Sequence, residues 1–242
     1  MENERDERKG NGIFLGIVAV ATLIVAIIGA SFAYFSAQAA SADNAVDITG
    51  YEFNASLSLQ EIYASDKGLI PVDPDGNVSG AESPNNTNML YALNVAKKCE
   101  DSHNLRICAL YAVTITNGGT DNLILDGSLI TTANTASSRE GAQPFSNLQY
   151  REVTATGEGN STTYSVGSTA TPLATTAGES ISLGQITVTP GTPVTKYVLI
   201  YLNENGDQSA EMGANFQGQI VYAASGGNTN RLTGTFTVGS GS

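Results

Sequence analysis

Tyr197-Val198-Leu199-Ile200-Tyr201-Leu202 is apolar or aromatic at every position. Successive side chains of a strand point to opposite faces, so this stretch is apolar on both. That places it in the middle of a sheet with cover on each side. The runs around it alternate instead. Tyr51, Phe53, Ala55, Leu57 and Leu59 share one face, and Glu52, Asn54, Ser56, Ser58 and Gln60 share the other. Ile107, Ala109, Tyr111, Val113 and Ile115 repeat the pattern, Asn117-Gly118-Gly119 turns the chain, and Leu123, Leu125 and Leu129 follow. Further strands are expected over Ile181–Val188, Val194–Leu202, Phe216–Ala224 and Leu232–Val238. The last alternates with Thr233, Thr235 and Thr237, which marks a half-wetted strand.

The connections are polar. Val72–Asn88, with Pro74 and Pro84, and Thr131–Ser146 read as long loops. Thr154–Gly178 is nearly all Thr, Ser, Gly and Ala, with Tyr164, Val166 and Leu173 to anchor it, and reads as either a thin edge hairpin or a loop. Helical periodicity is confined to Asn88–Lys98 and Gln208–Gly213. About eight strands with long polar connections define an all-β chain, a β-sandwich of jelly-roll-like or immunoglobulin-like type.

One apolar helix is expected before it. Gly12 to Phe35 holds no charged residue and is apolar all round. At about 1.5 Å per residue it would cross a hydrocarbon layer of about 30 Å. Arg5, Arg8 and Lys9 precede it, and the next basic residue is Lys67, an asymmetry that puts the N-terminus in the cytoplasm and the rest outside. The segment is either a removable signal peptide or a retained anchor, and small residues at the spacing of a cleavage site end at Ala33, Ala39 and Ala42. The expected organisation is a cytoplasmic head with signal peptide or anchor over 1–39 and an extracellular body over 40–242. The C-terminal Gly239-Ser240-Gly241-Ser242 carries no sorting motif, so no second anchor is expected.

The chain is acidic, with a net charge of −12. Nucleic-acid binding needs a positive footprint, and docking on anionic lipid needs a basic patch, so neither partner is expected. Cys99 and Cys108 are the two cysteines. In an exported chain they are expected to form a disulfide worth on the order of 2–3 kcal/mol.

Catalytic patterns are sparse. There is no His-Glu-x-x-His and no phosphate loop, and His103 is the one histidine, so no catalytic residue, metal ligand or cofactor is assigned. His103 lies in Asp101-Ser102-His103-Asn104 and reads as the turn of the disulfide-closed loop. Asp73-Pro74-Asp75-Gly76-Asn77 has the chemistry of a turn, with the glycine at the wrong offset for a calcium loop. Glu204 and Asp207 form another acidic pair, and Tyr63, Tyr91 and Tyr150 could line a binding surface, although core packing is the commoner use of strand tyrosines.

Ala21-Thr22-Leu23-Ile24-Val25 followed by Gly29-Ala30-Ser31-Phe32-Ala33-Tyr34-Phe35-Ser36 resembles the export signal of the TasA/camelysin group. Cys99-Glu100-Asp101 with Cys108–Asn117, and the region Tyr197–Ala224, also look like that group, whereas Ser128–Gly178 does not. The resemblance implies export from a bacterium of Gram-positive type, a dedicated signal peptidase as partner, and cleavage near Ala33. It implies a jelly-roll body displayed at the cell surface or in a biofilm matrix. Camelysin is described as a surface protease, a role for which this sequence shows no zinc ligands.

The leading expectation is therefore a non-enzymatic structural protein, secreted or on the outer face of the membrane. It would assemble with itself or with other matrix proteins by N-terminal strand addition, with Tyr51, Phe53, Ala55, Leu57 and Leu59 as the donor strand. The alternatives are an adhesin or ligand-binding module tethered by an uncleaved helix and, behind it, a camelysin-like protease.

Overall fold

The structure, a computed structural model, describes residues 46–50 by their backbone and residues 53–73, 89–101, 103–225 and 230–239. The apolar segment 12–35, the cleavage candidates Ala33, Ala39 and Ala42, the donor-strand residue Tyr51 and most of the 72–88 connection lie outside the described residues.

The apolar run at 197–202 forms part of β10 (Val194–Asn203), and β10 is interior to the larger of two sheets. On one side it pairs antiparallel with β4 (Ala109–Asn117), with Leu199 opposite Leu110. On the other it pairs with β6 (Leu148–Thr156), with Leu199 opposite Arg151. β2 (Phe53–Glu61) lies beyond β4, and β1 (Val46–Gly50) lies beyond β2. β7 (Thr163–Val166) lies beyond β6. Two short strands finish this sheet: β3 (Pro71–Val72), parallel to the end of β10, and β8 (Thr171–Pro172), paired with β6. The second sheet runs in the order β12-β11-β5-β9, formed by Arg231–Gly239, Asn215–Ala224, Leu123–Thr135 and Ser180–Val188.

The sheets pack face to face. Phe53, Ala55 and Leu57 of β2, Tyr111, Val113 and Ile115 of β4, and Val198, Ile200 and Leu202 of β10 meet Leu125, Leu129, Phe216, Ile220, Tyr222, Phe236 and Val238 of the second sheet. The alternation read from the sequence accounts for this core. A second core lies on the opposite face of the larger sheet. There Leu110, Val153, Leu199 and Tyr201 are covered by Met89, Ala92 and Leu93 of the short helix α1 (Met89–Asn94) and by the Cys99–Cys108 loop. β10 is thus covered on both faces, as its composition requires.

Three sequence expectations change in detail. β4 is covered on both faces like β10, because Leu110 is fully buried in the outer core. Ile107 joins that outer core rather than the face of Tyr111 and Val113. The expected loop Thr131–Ser146 begins later, because β5 continues to Thr135. Its end is polar but satisfied: Thr131 Oγ1 donates to the Ala174 carbonyl at 2.6 Å, and Asn134 exchanges hydrogen bonds with the backbone of Phe145. Of the two readings of Thr154–Gly178, the edge hairpin is the one observed.

Asn117 carries the turn out of β4. Its amide donates to the Asp121 and Val188 carbonyls at 2.8 and 2.9 Å, and its Oδ1 accepts the Gly119 N–H at 2.9 Å, so this buried polar group binds β4, the turn and β9 together. In the second sheet two aromatic rings lie over glycines of the neighbouring strand, Phe236 opposite Gly218 and Tyr222 opposite Gly127. A Cβ at Gly218 would come within 2.4 Å of the Phe236 ring. Gly218→Ala is therefore expected to destabilise the fold by about 1–3 kcal/mol through forced repacking. A lower midpoint of urea unfolding with an unchanged slope checks this, and a wild-type midpoint would contradict it.

Candidate functional site

The outer core has a thin cover. A six-residue helix cannot hold itself in water, so other contacts must fix it and the loop that follows. The Cys99–Cys108 disulfide is one, with Cα atoms 5.0 Å apart and both residues buried. Within the loop, Asp101 Oδ1 accepts the N–H groups of His103 and Leu105 at 2.9 and 2.8 Å. Asn104 takes a left-handed φ of 58°, which asparagine tolerates. His103 sits in this turn with its ring largely exposed, 3.6 Å from Asp101 Oδ2, where the sequence placed it.

Arg106 is the second fixing point. It is 4% exposed, and its guanidinium donates Nε to the Cys108 carbonyl at 3.2 Å and Nη1 to the Ser65 and Lys67 carbonyls at 3.4 and 3.0 Å. Nη2 pairs with the Glu61 carboxylate at the end of β2. Burial raises the Glu61 pKa, and the arginine opposes that rise. Burial also raises the Tyr111 hydroxyl's pKa, helped by the Glu61 charge. On the surface above, Lys67 Nζ lies 2.7 Å from Glu100 Oε1, and Lys98 Nζ lies 3.1 Å from Oε2. The hydrogen bond from Lys67 is the main reason the Glu100 pKa is lowered. These ionic groups were not singled out from sequence. The available signal was Arg106 itself, a lone cation between Leu105 and Ile107 beside a buried cysteine, since a buried charge demands a partner.

Next to Arg106 a cleft of about 610 Å³ opens between the extended segment 66–71, the disulfide loop and the turn after β10. Its deep residues are Leu69, Leu202 and Gln208, all buried, and its rim carries Leu105 and Met212, 45% and 42% exposed. The turn is a short 3-10 helix, Ser209–Glu211, and just before it Asp207 Oδ1 accepts the Ser209 N–H at 2.9 Å. That bond lowers the Asp207 pKa. Gln208 Oε1 accepts the Asn205 N–H at 3.1 Å, which fixes the orientation of the amide and leaves Nε2 buried without a hydrogen-bond partner. Glu211 Oε1 accepts from the N–H and hydroxyl of Ser146.

The other sequence candidates are dispersed. Phe53, Ala55 and Leu57 are buried between the sheets with Leu59 packed against them, and β2 is paired on both sides, by β1 and β4. The outermost strands along the main path of this sheet are β1 and β7. Tyr63 donates its hydroxyl to the Leu93 carbonyl at 3.2 Å, and Tyr150 packs against the inter-sheet core. Asp73 and Glu204 are exposed, while Asp75 lies outside the described residues. Among the described residues no group of three or more His, Cys, Asp or Glu is placed to hold a metal, and no helix is long and apolar enough to cross a membrane.

The class defined by these features is a two-sheet, disulfide-bonded all-β body with a mixed polar and apolar cleft. No family model and no curated protein matches the chain. Among solved structures it is similar to a FixG-related protein from Vibrio parahaemolyticus, at 9% identity and a TM-score of 0.34, covering 77% of this chain and 95% of that one. It is also similar to Spo0M, a sporulation control protein from Bacillus subtilis, at 10% identity and a TM-score of 0.27, covering 56% of this chain and 43% of that one. A third is AvmM, whose description is that it catalyses macrocyclization in alchivemycin A biosynthesis, at 9% identity and a TM-score of 0.32, covering 56% of this chain and 80% of that one. Likeness at this level assigns neither family nor activity.

The two carboxylates of the loop region act on stability in opposite senses. The lowered pKa of Glu100 contributes stability that is present above the ordinary glutamate range and is lost as pH falls through the lowered value. The raised pKa of Glu61 contributes most at low pH, and its contribution falls as pH rises from the ordinary to the raised value. Glu100→Gln is expected to cost about 0.2–1 kcal/mol at neutral pH, with the difference from wild type vanishing in acid. Urea midpoints measured along a pH series check this, and a difference that persists or grows in acid would contradict it.

Proposed function

We propose that the chain is an exported structural protein of the bacterial surface or biofilm matrix. In this reading residues 1–39 are a signal peptide or membrane anchor and the disulfide-bonded β-sandwich is the extracellular body. The observation that carries the reading is the Cys99–Cys108 disulfide, buried in the outer core, because such bonds persist in oxidising compartments. It agrees with the apolar, positively flanked N-terminal segment and with the resemblance of 29–36 to a dedicated export signal. The chain changes sheets between β4 and β5, β5 and β6, β8 and β9, β9 and β10, and β10 and β11, which favours the jelly-roll form of the sandwich over the immunoglobulin form.

Assembly would proceed by strand addition at the N-terminal side. β2 brings Phe53, Ala55 and Leu57 into the inter-sheet core, so a subunit that releases β1 and β2 exposes an apolar slot shaped for the same strands of a neighbour. A tethered ligand-binding module is the second reading, favoured by the cleft beside Arg106.

Mass spectrometry of the native N-terminus separates the two. A chain beginning just after Ala33 supports a released subunit, and one beginning before residue 30 supports the tether. For the released form, electron microscopy is expected to show filaments. Ser58→Cys with Thr114→Cys, opposite each other on β2 and β4, would hold β2 in its own subunit and suppress them, while each single substitution would not. Filaments that persist in the cross-linked protein would rule out strand exchange.

A further inference from the structure

We propose that Asn205-Gly206, in the turn after β10, is a self-modifying site at which the asparagine side chain loses its amide to water while the protein stays folded. An asparagine followed by glycine can be attacked by its own chain. The glycine nitrogen has no neighbouring Cβ to shield it, and the glycine backbone reaches conformations closed to other residues. The sequence holds three such pairs, Asn11-Gly12, Asn117-Gly118 and Asn205-Gly206. The first lies outside the described residues. The other two have opposite surroundings.

Asn117 is locked. It is 3% exposed, both hydrogens of its amide are taken by the Asp121 and Val188 carbonyls, and its Oδ1 accepts the Gly119 N–H. The attacking nitrogen is occupied as well, because the Gly118 N–H donates to the Asn54 carbonyl at 2.8 Å. A Cβ at Gly118 would meet the Asn54 side chain at 2.9 Å, so the backbone there has no room to turn.

Asn205 is open. Asn205, Gly206 and Asp207 are all exposed. The side-chain amide has one long hydrogen bond, Nδ2 to Asn147 Oδ1 at 3.3 Å. Among the described residues none accepts the Gly206 N–H. Gly206 has a left-handed φ of 69°, and a Cβ built there would touch nothing within 4 Å. The turn is anchored on either side of this bond instead, by the Asn205 N–H on Gln208 Oε1 and by Asp207 Oδ1 on the Ser209 N–H.

The reaction needs only water and base. Gly206 N gives its proton to hydroxide and forms a bond to Asn205 Cγ. The Cγ–Nδ2 bond then breaks, and ammonia leaves with a proton from water. The product is a five-membered succinimide, favoured because both reacting groups belong to one residue pair. Water opens the ring at either carbonyl. Breaking the new N–Cγ bond gives aspartate, and breaking the original peptide bond gives isoaspartate, with the chain running through Cγ. Either product puts a negative charge between Glu204 and Asp207, and isoaspartate also adds a carbon to the main chain of the turn. No partner takes part, so a released body and a tethered one react alike.

The test is incubation of the folded, disulfide-bonded full chain in warm, mildly alkaline water enriched in ¹⁸O. Peptide mapping with fragmentation that distinguishes isoaspartate from aspartate gives the readout. Position 205 is expected to gain heavy oxygen and to appear as both isomers, at a rate that rises with pH. Position 117 is expected to react at least about a hundredfold more slowly in the folded chain than in the reduced, urea-unfolded one, because its bonds must open first. Asn205→Gln, which keeps the amide at the surface but would have to close a larger ring, should lose the label at 205. The proposal is overturned if position 205 reacts only after unfolding, or if 205 and 117 react at equal rates in the folded chain. Label at 205 as aspartate alone would show direct hydrolysis without attack by Gly206 and would overturn it too.

Discussion

The outer face of β4 and β10 is apolar and has to be covered, and that requirement governs what surrounds it. Leu110, Leu199 and Tyr201 would otherwise lie open to water on the far side of a sheet whose inner face is already packed. The covering material is slight: one and a half turns of helix and a loop of about ten residues, neither with stable structure of its own. Cover that cannot stand alone has to be fastened, and the fastenings account for most of the polar chemistry in this part of the molecule.

Their magnitudes rank them. Closing a short loop with a disulfide contributes on the order of 2–3 kcal/mol. Removing one partner of a buried ion pair costs about 3–5 kcal/mol, because the other charge is left in a poorly solvated place. Glu61 keeps some solvent, which moves its pair with Arg106 toward the lower end of that range. Arg106 nevertheless holds four residues, Glu61 at the end of β2, Ser65 and Lys67 in the backbone beyond it, and Cys108 in its own loop, whereas the disulfide joins two. The exposed Lys67–Glu100–Lys98 group adds less, since surface pairs contribute about 0.2–1 kcal/mol and are screened by salt. The disulfide therefore shortens the freedom of the loop, and the arginine determines where the loop sits.

The parts of this architecture that show in sequence are those with a period. Alternation at 53–59, 109–115, 216–224 and 232–238 marks the inter-sheet core, and the doubly apolar 197–202 marks the interior strand. What stays hidden depends on partners distant in the chain. Leu110 looks like one residue on the wet face of an alternating strand until α1 is laid over it. The end of β5 looks like a loop because Thr131 and Asn134 are polar, and only their bonds to Ala174 and Phe145 make them compatible with a sheet. Arg106 shows in sequence only as a lone cation inside an apolar run, and Gln208 is an undistinguished letter in a polar turn. Their roles come from burial, which no local pattern encodes. The two cysteines were legible as a bonded pair because the expectation of an oxidising compartment makes a disulfide the default for two cysteines.

The same fastening creates the cleft. Arg106 draws the 65–67 backbone and the disulfide loop toward the end of β2, while β3 pairs with the end of β10, so the segment 66–71 is held at both ends. The turn after β10 is held separately, through Asp207 at its start and through Ser146 against Glu211 at its end. Two walls fixed by independent sets of contacts leave a gap between them that neither set can close by collapsing. A gap of this kind persists without an occupant and keeps its shape. A ligand bound there would require little reordering of the protein, and a preorganised site loses less of its interaction energy to that cost.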